Sequence, residues 1–464
     1  GSEMCIRDRI GERLLPEFEF VLPEPVEEIP LRPVYDSPLG EGVPKEITSY
    51  TLSNGLRIIV WPDHDIPNVV MYNFVRAGSR NEYPGITGVS HFFEHMMFNG
   101  TSTLEPGEFD RIMEAAGGAN NAYTSNDLTV YVNWFPRSAL KTILTLEADR
   151  LQNLDFDADM IESERSVISS ERNTTVDDNA FSRLYEQVRA TAFVAHPYQF
   201  PIIGWPSDIE RWTAADLASH YRTYYAPNNS TMVFSGAVSP EEIFLLAEQY
   251  FAPIPRQKPP PELRTVEPEQ TGERRITIET DTETPLLHLA FHAGEAGQPE
   301  TRHMELLLSI LVSGDSSRLH RLLVEEEQLA LSVGGMQNEG FDPGLVYFYL
   351  TLPPGSDIGA VEARVFEELE RVAANGVTGK ELAKAKNILL ADYWRQMETI
   401  DGKASALGNY DVFTGSYENL FDAPEQIDAV TREQLKAVAA DVFRRNNVTV
   451  GTLRAAKADA EEQS

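Results

Sequence analysis

The sequence predicts an α+β protein built from two homologous domains. Three observations lead there. A chain of 464 residues is too long for one ordinary core and suggests two to three domains. A segment at 252–270 holds Pro253, Pro255, Pro259, Pro260, Pro261 and Pro268, so it is stiff and extended and divides the chain. The order of strand-like and helix-like segments before this linker recurs after it, although residue identity does not. The expected layout is an arm at 1–44, a first domain at 45–251, the linker, and a second domain at 271–464.

Residues 10–45 are rich in Pro and Glu, show no sustained period and read as an extended arm. Gly1-Ser2 reads as a cloning scar, and Glu3 to Arg9 as a remnant of similar origin. Tyr50-Thr51-Leu52 and Leu56 to Val60 flank Ser53-Asn54-Gly55, a hairpin signal. Val69 to Val75 reads as the next strand. Gly78, Gly85 and Gly88 then lead into a helix that Asn99-Gly100-Thr101 ends. Phe109 to Ala116 is a short helix stopped by Gly117-Gly118. Asn120 to Ser125 and Leu128 to Val132 read as strands joined by a turn at Asn126-Asp127. Helices are expected at 138–153, 158–176, 181–193, 214–225 and 240–250, with a strand at 230–236 completing the first sheet. The second half reads as strands at 274–279 and 286–292, helices at 300–312 and 316–328, and strands at 330–337 and 345–352. Helices at 357–374 and 379–398 and a closing strand at 448–453 follow.

Composition narrows the class. Apolar residues make up 42% of the chain and 22 are Phe, enough for real cores. No run of about 18 apolar residues occurs, so no membrane span is expected. The net charge is −33, which disfavours nucleic acid as a partner. The acidity reads as a solubility device or, more sharply, as an acidic chamber that attracts basic peptides. Cys5 is the one cysteine, so no internal disulfide is possible. Such a chain fits a bacterial periplasm or cytoplasm.

The chemistry centres on His91-Phe92-Phe93-Glu94-His95. On a helix, His91 and His95 lie one turn apart on one face, and Glu94 reaches the edge of the same site. Imidazole with carboxylate is a zinc ligand set, and a catalytic site keeps one position open for water. A carboxylate beside that water takes its proton once the metal has lowered its pKa. H-x-x-E-H is the inverse of the commoner H-E-x-x-H. Val89, Phe92, Phe93 and Met96 form the core-facing stripe of this helix. Alone, the five residues also fit two surface histidines on an ordinary amphipathic helix. A third ligand must come from afar. Glu164 and Glu171 lie seven residues apart, two turns along one helix face, and either one can face the histidines. His196 is a further candidate ligand, read as a loop-packing residue.

His91-Phe-Phe-Glu94-His95-Met-Met-Phe-Asn-Gly100-Thr101 strongly resembles the active-site segment of the pitrilysin and mitochondrial-processing-peptidase family of zinc peptidases. The match is to the zinc-bearing subunit of the short, two-domain type. That family places its third ligand at the end of an E-R-x-x-x-x-x-E stretch, and Glu164-Arg165 to Glu171 fits it, 76 residues after His95. The resemblance implies one Zn2+ per chain, held by His91, His95 and Glu171. It makes Glu94 the general base and Glu164 a carboxylate that orients the site. It implies a mainly antiparallel sheet covered by helices in each domain, and a closed chamber that excludes folded proteins. Gly117-Gly118 before Asn121-Ala122-Tyr123-Thr124 resembles the family's edge strand, on which a peptide pairs as an added strand. Tyr225-Ala226-Pro227-Asn228-Asn229 is a third match. The resemblance spans about 45–455, strongly in the first domain.

One departure carries information. Active members need an Arg and a Tyr in an R-x-x-E-Q-L-x-Y pattern. Here Val324 stands where Arg would be and Leu331 where Tyr would be. Neither hydrogen-bonds a substrate carbonyl or a developing oxyanion. Arg318 and Arg321 are out of register. The resemblance therefore implies a heterodimer in which a homologous zinc-free subunit supplies the missing pair, in preference to a homodimer. The rival expectation is a structural or assembly subunit with a vestigial zinc site.

Overall fold

The computed structural model describes residues 42–456. The expected arm up to residue 41, with Cys5, and the tail from 457 lie outside the described residues. The first half contributes β1 (Thr48–Thr51), β2 (Arg57–Pro62), β3 (Asn68–Val75), β4 (Ala119–Thr124), β5 (Thr129–Pro136) and β6 (Ser230–Gly236). These form a six-stranded sheet of order β1-β2-β6-β3-β5-β4. The second half contributes β7 (Arg274–Thr280), β8 (Leu286–His292), β9 (Ser332–Gln337), β10 (Leu345–Thr351) and β11 (Val448–Ala455), in the order β7-β11-β8-β10-β9. Without β1, the first order is the second one. Each sheet also holds one parallel pair, β2 with β6 and β7 with β11, among antiparallel ones. The repeat read from element order is thus a repeat of topology.

Helices cover one face of each sheet from its own half. In the first half these include α1 (Val89–Met96), α2 (Glu108–Ala115), α3 (Leu140–Asn153), α4 (Ala158–Arg172) and α5 (Ala180–Ala192). Ile58, Val60, Val69, Met71 and Phe234 pack on Ile143, Leu144 and Leu151 of α3. In the second half, Leu287, Leu289, Phe291, Val346 and Phe348 pack on the helices Pro299–Val312, Ile358–Asn375 and Arg432–Val442.

The opposite faces are covered by exchange. The helix Ile400–Thr414 crosses from the second half and buries Ala404, Leu407 and Val412 against Ile59, Val70, Phe74 and Val130. In return α5 buries Leu184, Val188 and Ala192 against Leu286, Ala290, Tyr347 and Leu453. Each contact is closed by a glycine. A Cβ at Gly408 would fall 1.9 Å from the Phe74 ring, and one at Gly451 would fall 2.1 Å from Val188 Cγ2. Arg57 Nε pairs with Asp411 at 2.9 Å across the first contact. No helix is expected between 400 and 445, yet Ile400–Thr414, Asn419–Ala429 and Arg432–Val442 lie there, and the helix expected at 181–193 packs on the second sheet. Each half's inner sheet face is unsatisfied until the other half covers it.

The linker is anchored as well as stiff. Glu267 accepts the peptide N–H groups of Val194, Ala195 and His196, each at 2.9 Å. The expected helix at 316–328 is shorter, a turn at Arg318–His320 that widens through Arg321–Glu326.

Candidate metal centre

α1 is fixed before it is functional. Its first peptide groups, Gly88 N–H and Ser90 N–H, donate to the buried Glu82 carboxylate at 2.7 and 2.8 Å. Burial pushes the Glu82 carboxyl up to about 8, against those two bonds. Val89, Phe92, Phe93 and Met96 enter the core as their spacing requires. Tyr131 Oη donates to Phe93 O at 3.0 Å from below. The histidines are left on the flank, with His91 buried and His95 half-buried.

α4 packs beside α1 and presents both glutamates. Glu171 Oε1 lies 3.7 Å from His91 Nε2, and Glu171 Oε2 lies 3.4 Å from His95 Nε2. One donor atom from each of these three residues falls within a 4.8 Å span. Glu164 Oε1 lies 2.7 Å from His95 Nδ1 and accepts its N–H, which turns Nε2 toward Glu171. Asn99 holds the other oxygen of Glu164. Arg165, between the glutamates, donates to Trp212 O at 2.9 Å and ties α4 down. The donor set suits zinc: two imidazole nitrogens and a carboxylate converge, and a hydrogen-bonded carboxylate orients one ring.

The electrostatics fit such a set. Burial and the neighbouring His95 hold His91 below its ordinary value, so it is neutral. Burial also disfavours charge on His95, but the bonds to Glu164 and Glu171 outweigh it and raise that residue. The bond to His95 holds Glu171 below its ordinary value. Burial would raise Glu164, and its bonds to His95 and Asn99 win and lower it. Burial raises Glu94, opposed by a hydrogen bond from Thr124 Oγ1 at 2.6 Å.

β4 is an edge strand, paired only with β5. Its Asn121 and Tyr123 are exposed, while Ala122 and Thr124 turn inward. The Ala122 N–H is met by the Asn121 carboxamide at 2.9 Å, so it lies on the open edge of the sheet.

Other expected residues have different partners. His196 Nε2 lies 3.1 Å from Asp342 and its Nδ1 accepts Tyr198 N–H at 3.1 Å, so it packs a loop and stays outside the cluster. Val324 packs partly against the second core and Leu331 is exposed. Arg318 is engaged by Glu381 at 2.7 and 2.8 Å, and Arg321 pairs with Glu326 at 3.2 Å. Sequence reasoning missed Asn99 and the Thr124–Glu94 bond. Asn99 had a signal, since it lies four residues after His95, just past the end of α1.

Residues 63–204 match the model of the insulinase family, peptidase family M16, and 211–389 match the peptidase M16 inactive domain. The zinc protease PqqE of Helicobacter pylori is 29% identical over 414 residues, covering 88% of this chain and 92% of that one. A probable mitochondrial-processing peptidase subunit beta of Schizosaccharomyces pombe is 27% identical over 424 residues, 89% of this chain and 92% of that one. The crystal structure of a protease from Helicobacter pylori aligns with a TM-score of 0.85 at 28% identity, over 88% of this chain and 99% of that one. Paired mainly antiparallel sheets carrying an H-x-x-E-H helix define a class, the inverted-motif peptidase fold. The chain belongs to peptidase family M16.

Proposed function

We propose that the chain is the zinc-bearing subunit of a metalloendopeptidase that hydrolyses peptides or unfolded polypeptide segments. The observation that carries this is the convergence of His91, His95 and Glu171, with Glu94 on the same helix turn. In this reading 45–251 is the catalytic domain, 252–270 the linker and 271–464 a homologous domain without metal. His91, His95 and Glu171 would hold one zinc per chain, which would supply Lewis-acid polarisation of the scissile carbonyl and a lowered pKa for the attacking water. Glu94 takes the water's proton and returns it to the leaving amine. Glu164 keeps the His95 ring oriented. The open edge of β4, residues Asn121 to Thr124, pairs with the peptide backbone and holds it extended.

The second half of the machinery is missing from this chain. Val324 and Leu331 offer no donor to the transition state, and Arg318 is held by carboxylates. A homologous zinc-free chain carrying the Arg and Tyr completes the site. A homodimer would present a second Val and Leu. We place the complex in the bacterial periplasm or cytoplasm; among the described residues no helix is long and apolar enough to cross a membrane. The inactive-domain match favours a second reading, a structural or assembly subunit with a vestigial site. The intact ligand set and Glu94 weigh against it. The test is to purify this chain, measure its zinc, and assay unstructured peptides with and without the partner. The expected result is bound zinc, weak hydrolysis alone and a gain on pairing, since one missing oxyanion donor costs about 10²–10³ in rate. Full activity alone, unchanged by the partner, would refute the heterodimer. No hydrolysis with zinc and partner present would favour the structural subunit.

A further inference from the structure

Thr124 joins the edge strand to the proposed base. It is the last residue of β4, and its hydroxyl lies 2.6 Å from Glu94 Oε2. Its other near neighbour is Thr129 Oγ1 at 3.4 Å, directly opposite on β5. Thr129 already donates its own hydroxyl proton to Ala77 O at 2.9 Å. A threonine hydroxyl has one proton, and an ionised carboxylate only accepts. The short, charge-assisted contact therefore takes the Thr124 proton, and the direction runs from Thr124 to Glu94. Glu94 also accepts a bond from the Thr124 backbone, so two bonds from one residue of β4 hold this carboxylate.

We propose that Thr124 is a positioning residue: its hydroxyl fixes the rotation of the Glu94 carboxylate and makes base alignment depend on the order of the edge strand. The inference rests on the proposed function. A carboxylate on a short side chain turns about its last bond, and a turned base presents its lone pair in the wrong direction. Thr124 also belongs to the strand that the peptide would extend. Backbone pairing along β4 stiffens that strand, so a well-seated peptide steadies the base that acts on it. The readout of this arrangement is kcat, because the hydroxyl touches neither the peptide edge nor the donor atoms of the metal cluster.

The test compares wild type, Thr124→Val and Thr124→Ser, each assayed with the homologous partner on an unstructured fluorogenic peptide. Zinc content is measured for each, as is the affinity of the metal-free protein for the same peptide, labelled. In Thr124→Val the expected result is unchanged zinc, unchanged peptide affinity and KM, and kcat lower by about 10- to 100-fold. Thr124→Ser is expected to regain most of kcat, since it restores the hydroxyl without the methyl group. Wild-type kcat in Thr124→Val overturns the inference. So does a Thr124→Ser variant as slow as Thr124→Val, which would assign the effect to methyl packing. A parallel loss of zinc or peptide affinity in Thr124→Val overturns it too, by making the residue part of the strand's architecture. An inactive wild type with zinc and partner in place would instead remove the proposed function, and this inference with it.

Discussion

Glu164 Oε1 sits 2.7 Å from His95 Nδ1, while Glu171 faces Nε2 of the same ring at 3.4 Å. Two carboxylates seven residues apart on α4 thus grip opposite edges of one imidazole. The two edges have different chemistry. The carboxylate at Nδ1 accepts that N–H, and the one at Nε2 lies between this ring and His91.

The two glutamates are therefore expected to separate in a metal assay. Glu171→Gln is expected to lose zinc on dialysis, as are His91→Ala and His95→Ala. Glu164→Gln is expected to retain the site with zinc affinity or activity lower by about 10- to 100-fold. Metal analysis after dialysis against a weak chelator checks this. An empty site in Glu164→Gln with a full one in Glu171→Gln would reverse the two roles.

Ala122→Pro tests the strand. The Ala122 N–H points to the open edge, where only the Asn121 carboxamide meets it. Proline removes that donor and clashes with an added strand, without touching the metal residues. KM for long peptides is expected to rise while zinc content stays the same. Steady-state kinetics over a peptide length series is the measurement, and unchanged KM at every length would exclude pairing at this edge.

The first half of this site was legible in the sequence for simple reasons. Positions i and i+4 share a helix face, and E-R-x-x-x-x-x-E spans two turns, so His91, His95, Glu164 and Glu171 needed only one helix–helix contact to meet. The hairpin at Ser53-Asn54-Gly55 and a strand at 120–125 are local signals, while the edge position of that strand comes from the family resemblance. The exchange of helices between halves was not local. Ile400–Thr414 carries Gly402 and Gly408, poor helix formers, and lacks a one-sided apolar stripe. Its sequence makes sense only against Phe74, which lies more than three hundred residues earlier. The bond from Thr124 to Glu94 was hidden for the same reason, since it needs β4 laid beside α1.

His288 gives a pH signature away from the metal. It is buried on β8 against Phe181, at 4.7 Å between ring centroids, with no hydrogen-bond partner at either ring nitrogen. Burial pushes it from 6.5 down to about 4. The unfolded chain takes up this proton below 6.5 while the folded chain does not, so stability falls as pH drops from about 6.5 toward 4. His288→Leu is expected to flatten that decline by about 1–3 kcal/mol at the acid end, read from urea melts across the range. An unchanged pH slope in the variant would remove His288 from the linkage.

The most direct measurement of the central claim is the peptide-hydrolysis rate of Glu94→Gln beside wild type, both at matched zinc content and both with the partner chain. The substitution keeps shape and leaves His91, His95 and Glu171 in place. The account predicts one zinc per chain in each protein and a rate lower by about 10²–10⁴-fold in Glu94→Gln. A variant that binds zinc and cleaves peptide at the wild-type rate would contradict it.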